Sequence, residues 1–185
     1  MHDDIERILL GEAELRAGVE RVAAEIAREY QADEPLLVAV LDGSLVFVAD
    51  LIRRLPIPLR LATARVRSYG TGTTGGPPAL SGLPAPEEVR GRRVLVVDDI
   101  LDSGRTLASL VRELAARGAR DVRTCVLLDK PARRALAFEA DHVGFRIEDA
   151  FVVGYGLDHA GRFRNLPYVG VLEARALAAV PEARA

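Results

Sequence analysis

The chain has 185 residues, 49% hydrophobic and 28% charged, with a formal net charge of −2 at pH 7. That size and balance suit one globular domain with a sizeable core, and so little net charge gives no reason to expect nucleic acid or a membrane surface as partner. The single Cys125 excludes an internal disulfide, no apolar stretch reaches the roughly 18 residues of a membrane span, and MHDDIERILLGE is too charged for a secretion signal, so a cytoplasmic protein is expected.

Taken in chain order, helical and extended patterns alternate, which predicts an α/β sheet. Residues 11–31 read as an amphipathic helix with Leu15, Val19, Val22, Ala23 and Ile26 on one face. LLVAVL (36–41) reads as a buried strand, LVFVADLIRRL (45–55) as the helix after it, and LRLATARV (59–66) as a further strand. From Gly70 to Pro86 the chain is dense in Gly, Thr and Pro with almost no charge, the composition of a loop that closes over a site. VRTCVLLD (122–129), FVVGYG (151–156) and YVGVL (168–172) complete the predicted strands.

The densest chemistry lies in VLVVDDILDSGRTL, residues 94–107. A β-branched strand runs into Asp98, Asp99 and Asp102, then Ser103, Gly104, Arg105 and Thr106, and a helix begins at Ser103 with Leu107, Leu110, Val111 and Leu114 on its inner face. Helix N–H groups, a glycine permitting close backbone approach and two hydroxyls suit a phosphate. Acids so near a phosphate would repel it unless they face sugar hydroxyls or a divalent cation. A ribose 5-phosphate satisfies both halves. No GxxxxGK[ST] or GxGxxG pattern follows a strand, which disfavours nucleoside triphosphate and dinucleotide sites.

This segment resembles the phosphoribosyl-pyrophosphate signature of type I phosphoribosyltransferases: a strand, two acids, two apolar residues, then D-[ST]-G-x-T. LDGSLVFVADL (41–51), RSYGTGT (67–73), LLDKPARR (127–134) and FVVGYGLDHAGRFRNLPYVGVL (151–172) narrow the resemblance to the hypoxanthine-guanine branch. It implies a central, mostly parallel sheet flanked by helices, with a flexible lid over about 68–86 and a purine-binding hood to which 151–185 contributes. The implied activity is transfer of a phosphoribosyl group from phosphoribosyl pyrophosphate to hypoxanthine or guanine, with Mg²⁺, in a homodimer or homotetramer.

The resemblance also assigns roles. Asp98 and Asp99 would hold the ribose hydroxyls, directly or through Mg²⁺. Asp98 is a departure, since the family more often has Glu there. Asp102 would be the general base at purine N7, although a helix N-cap is the alternative for that residue. Ser103, Gly104, Arg105 and Thr106 would cradle the 5′-phosphate. Lys130 would donate to the 6-oxo group, Phe151 would stack on the purine, and Val152 would offer backbone groups to its edge. Asp158 would be a second Mg²⁺ contact, Arg164 would clamp pyrophosphate, and Ser68 and Tyr69 would close over it. His142 and His159 show no metal-ligand spacing and are expected to be non-ligands.

One departure is larger. Where the family commonly has L-K-G-[SG], with a non-proline cis peptide before the lysine, this chain has Leu41-Asp42-Gly43-Ser44. The backbone of Gly43 and Ser44 can still meet pyrophosphate, whereas Asp42 should bring repulsion or a salt bridge to another subunit. A regulator that keeps the phosphoribosyl-pyrophosphate site as a sensor is the competing class. Such a protein would be expected to lose Lys130 or Asp102 and to show a basic face, and this chain does neither.

Overall fold

A computed structural model describes residues 2–67 and 79–178. In chain order the elements are β1 (Ile5–Leu10), α1 (Glu12–Glu29), β2 (Leu36–Leu41), α2 (Leu45–Ile52), β3 (Arg60–Arg67), β4 (Ala79–Ser81), α3 (Pro86–Val89) and β5 (Arg93–Leu101). They continue with α4 (Arg105–Ala116), β6 (Asp121–Asp129), β7 (His142–Arg146), β8 (Val152–Val153), β9 (Val169–Leu172) and α5 (Ala174–Ala178).

The apolar runs predicted as buried strands form the middle of a six-stranded sheet ordered β4-β3-β2-β5-β6-β7, parallel except for the β3–β4 pair. They carry no polar alternation because both faces are covered. Leu37, Ala39, Leu95, Val97, Cys125 and Leu127 share a core with Leu15, Val19, Val22 and Ile26 of α1 and Phe47 and Leu51 of α2. Val38, Val40, Val94, Val96 and Val126 pack on the other side with Leu107, Leu110 and Leu114 of α4. Gly18 lets α1 lie close on β7, since a Cβ there would fall 2.2 Å from the Phe145 ring.

From β2 the chain moves outward to β3, then returns to add β5, β6 and β7 on the opposite side. The carboxyl ends of β2 and β5 therefore diverge at a topological switch point, where open α/β sheets bind ligands. At the amino edge, the first residues of β5 and β6 are joined by charge. Arg93 pairs with Glu29 at 2.6 Å, Asp33 at 3.3 Å and Asp121 at 3.4 Å, and its guanidinium lies 4.2 Å from the centre of the Tyr30 ring.

A second, antiparallel sheet ordered β1-β9-β8 packs Ile5, Val153, Phe163 and Leu172 together. Residues 151–172 supply β8 and β9 of this sheet, and β1, from the other end of the chain, supplies its edge strand. FVVGYG is strand only at Val152–Val153, since Gly154, Tyr155 and Gly156 have φ of 96°, 51° and 102°, which end an extended run. The helix expected to 55 ends at Ile52, and the one expected from Ser103 begins at Arg105. The expected loop to 86 is also shorter: residues 79–81 pair with β3 as β4, and Pro86 opens α3, while 68–78 lie outside the described residues.

Leu110 is fully buried between α4 and the sheet. Leu110→Ala is expected to cost about 2–5 kcal/mol in urea unfolding with an unchanged m-value.

Candidate active site

A cavity of about 330 Å³ opens at the switch point, lined by Gly43 after β2 and by Asp98, Asp99, Asp102, Ser103, Gly104 and Thr106 from β5 to α4. The sequence motif and the L-D-G-S loop thus share one site. Gly104 takes φ of +84°, the left-handed turn by which the chain leaves β5 for α4. It occupies the N-cap position with no side-chain cap, so neither Asp102 nor Ser103 serves as a cap there. Ser103 Oγ instead accepts from the Arg105 N–H at 3.4 Å, while the Arg105 side chain is exposed and does not line the cavity.

Asp98 and Asp99 are the electrostatic centre. Asp98 Oδ1 accepts from the Asp99 N–H at 3.0 Å, and Asp99 Oδ1 from the Ile100 N–H at 2.9 Å. Burial, reinforced by the neighbouring Asp99 charge, pushes the Asp98 carboxyl well above the usual carboxylate range. Burial raises Asp99 too, against hydrogen bonds and the Arg164 charge that favour its ionised form. Two adjoining acids that resist ionisation suit hydroxyl groups or a divalent cation. Mg²⁺ is commonly held by one or two carboxylates together with substrate oxygens and water, so Asp98 and Asp99 fit it. Among the described residues no three acid, histidine or cysteine side chains gather around a metal position, so Asp158 does not join them in one ligand set.

Close approach fixes these loops. A Cβ on Gly43 would fall 1.8 Å from Asp99 Oδ2, and one on Gly156 would fall 2.2 Å from the Gly43 carbonyl oxygen. The Leu41–Asp42 peptide is cis. Ser44 is fully buried, does not line the cavity, and its Oγ donates to the Val40 carbonyl at 2.6 Å, so its hydroxyl is not offered to a ligand. Asp42 pairs with Arg65 of the neighbouring β3 at 3.3 Å, a partner within the same chain.

Asp102 has one carboxylate oxygen, Oδ1, buried without a hydrogen-bond partner, and its Oδ2 lies 3.9 Å from Arg133 Nη1. Lys130 is buried, its Nζ donates to the Ala150 carbonyl at 2.5 Å, and burial lowers its affinity for a proton. The Asp102 charge is the largest influence opposing that shift, which ties the two side chains electrostatically. The Phe151 ring is 42% exposed and meets His159 edge-to-face with centroids 5.2 Å apart. Val152 is buried and pairs through its backbone with Val171 of β9. Arg164 donates to the Gly156 carbonyl at 2.6 Å and pairs with Asp158 at 2.8 Å, so these two residues act together. Ser68 and Tyr69 lie outside the described residues.

Sequence reasoning gave no role to Gly156, Arg65, Asp129 or Arg134. The only advance signal was their place beside matched residues, in YGLD, on the strand next to Asp42, and in LLDKPARR.

Because Asp98 is harder to ionise when folded, the folded chain holds more protons than the unfolded one above the ordinary carboxylate range. Stability therefore falls as pH rises through that window. Asp98→Asn is expected to flatten the decline and raise the melting temperature at pH 7. Parallel stability–pH curves for the two proteins would contradict this.

The comparisons agree with the geometry. The Phosphoribosyl transferase domain model matches residues 8–160. The hypoxanthine-guanine phosphoribosyltransferase of Bacillus subtilis (strain 168) is 44% identical over 173 residues, covering 94% of this chain and 96% of that protein. The bifunctional protein TilS/HprT of Listeria innocua is 46% identical over 175 residues, 94% of this chain, and the chain spans 27% of that protein's length. A crystal structure of a hypoxanthine phosphoribosyltransferase from Staphylococcus aureus matches with a TM-score of 0.89 at 35% identity, covering 95% of this chain and 96% of the other. A switch-point cavity carrying the acid pair and phosphate loop, on a chain so closely related along its length, places the protein in the phosphoribosyl transferase family, in the hypoxanthine-guanine branch.

Proposed function

We propose that the chain is a purine-salvage transferase. It moves the 5-phosphoribosyl group from phosphoribosyl pyrophosphate to hypoxanthine or guanine, giving IMP or GMP and pyrophosphate. The observation that carries this reading is the buried, unpartnered Oδ1 of Asp102 in the phosphate loop, electrostatically tied to Lys130. A buried acceptor without a donor is costly, and the N7–H of a 6-oxopurine would supply one.

The residues then divide the work. Backbone N–H groups from Ser103 to Thr106, with the two hydroxyls, take the 5′-phosphate at the start of α4. Asp98 and Asp99 hold the ribose hydroxyls. Phe151 offers its exposed ring for stacking, Lys130 donates to the 6-oxo group, and the backbone of Val152 meets the purine edge. The purine nitrogen bonds to the anomeric carbon as the carbon–oxygen bond to pyrophosphate breaks, and the leaving group takes the electron pair. Asp102 takes the N7 proton, which prevents positive charge from building on the base. Arg164 and the backbone of Gly43 and Ser44 receive pyrophosphate. Asp98 and Asp99 would hold Mg²⁺, and Asp158 would be a separate contact for a second ion; bound there, the metal would neutralise charge on the leaving pyrophosphate. The chain acts as one transferase domain with the small sheet as its purine hood, works in the cytoplasm, and assembles as a homodimer or homotetramer. Among the described residues no helix is long and apolar enough to cross a membrane.

Asp102→Asn is expected to lower kcat about 10²–10⁴-fold while KM for each substrate changes little. A spectrophotometric assay with phosphoribosyl pyrophosphate, Mg²⁺ and each purine reads this, with a chelator as control; full activity in the variant rejects the assigned base. Asp42→Lys is expected to tighten product inhibition by pyrophosphate. Both Asp42 and Arg65 are more than half exposed, so losing their pair should change stability by less than about 1 kcal/mol.

A further inference from the structure

The segment after β6 holds the phosphate loop by its carbonyl groups. The Leu101 carbonyl accepts from the Lys130 N–H at 2.9 Å and from Arg134 Nη1 at 3.1 Å. The Asp102 carbonyl accepts from the same Arg134 Nη1. The Ser103 carbonyl accepts from the Ala135 and Leu136 N–H groups at 3.1 and 3.3 Å. Three successive carbonyls thus face residues 130–136. In a trans peptide the N–H of the next residue points opposite to the carbonyl. The N–H groups of Asp102, Ser103 and Gly104 are therefore turned away from that segment, and none of its residues lines the cavity that these three do line.

Arg134 can hold this arrangement because it is itself held. Its Nη2 pairs with Asp129 Oδ1, and the two side chains are only 16% and 8% exposed. Asp129 ends β6, opposite Leu101 in the sheet, and its own carbonyl accepts from the Ile147 N–H at 2.9 Å. A buried carboxylate anchored in the sheet thus fixes one edge of the guanidinium. The other edge is spent on the two loop carbonyls flanking the start of the motif's turn. The planar fork makes both contacts at once, which an ammonium could not do with the same geometry.

We propose that Arg134, fixed by Asp129, is a positioning residue that aims the N–H groups of Ser103 and Gly104 at the 5′-phosphate and sets the backbone from which the Asp102 carboxylate projects. This rests on the transferase reading above for the identity of the phosphate. The pair makes no contact with substrate in this account. It acts by turning peptide planes before any ligand arrives, so that the ligand does not have to order the loop.

The test compares Arg134→Ala, Arg134→Lys and Asp129→Asn with the parent protein. Arg146→Ala, which removes only the 72% exposed second neighbour of Asp129, serves as control. Ribose 5-phosphate affinity is measured by calorimetry, and kcat and KM for phosphoribosyl pyrophosphate and hypoxanthine by the spectrophotometric assay. Arg134→Ala and Arg134→Lys are expected to weaken ribose 5-phosphate binding about tenfold or more, equivalent to about 1.4 kcal/mol. KM for phosphoribosyl pyrophosphate should rise in step and kcat should fall, with KM for hypoxanthine within about twofold of the parent. Asp129→Asn should lie between, and Arg146→Ala should match the parent. If Arg134→Ala fails to fold, the lysine and asparagine variants decide. Unchanged ribose 5-phosphate affinity overturns the proposal, as does equal weakening for both substrates that merely follows a drop in melting temperature. A parent protein that binds ribose 5-phosphate yet forms no nucleotide would reject the transferase reading while the calorimetry still tests Arg134.

Discussion

Three segments of the site converge where Asp99 presses on Gly43 and Gly43 presses on Gly156. A side chain at position 43 would begin 1.8 Å from the Asp99 carboxylate, and one at position 156 would begin 2.2 Å from the Gly43 carbonyl. Glycine is the one residue that lets the loop after β2 lie against both the end of β5 and the turn beyond β8. Arg164 grips the Gly156 carbonyl from the far side and carries Asp158 with it. The acid pair, the loop after β2 and the arginine are consequently one packed stack rather than separate features. A shift at Gly43 would be felt by the other two.

The two edges of the large sheet treat charge in opposite ways. At the amino edge Arg93 is surrounded by Glu29, Asp33 and Asp121, Arg123 pairs with Asp121 and Asp141, and His142 lies 3.0 Å from Glu29. Each charge there has an opposite neighbour, and the strand ends are held together. At the carboxyl edge Asp98 and Asp99 crowd each other under burial, and one oxygen of Asp102 has no partner. Unsatisfied groups of this kind cost stability and persist where a ligand will meet them. The site keeps these acids without full partners although ion pairs such as Arg164–Asp158 lie beside them.

The buried strands were legible because their patterns are strong: LLVAVL and the run into Asp98 could only be covered on both faces. β1 was missed because register shifts between Ile5 and Arg7 and between Ile8 and Leu10 interrupt its two-residue period. β7 was missed because its inward positions are His142 and Gly144, neither of which signals a strand; Gly144 is there since a Cβ would fall 2.5 Å from the Leu127 carbonyl. That the turn from β5 into α4 would line a ligand cavity was readable from residue type, spacing and the family motif. The Asp129–Arg134 brace was not, because its partners are backbone carbonyls, which no residue type announces. The fate of Asp42 depended likewise on strand order, which brings Arg65 beside it.

Lys130 is the one lysine in the sequence, among 25 lysine and arginine residues. It is also buried with a lowered proton affinity, so its amine is a better nucleophile near neutrality than an exposed lysine would be. The molecule therefore offers acylating or aldehyde reagents a single ε-amino group, one that feels the Asp102 charge. Stoichiometric labelling of this amine would count binding sites directly, and protection by a bound purine would report occupancy without any turnover.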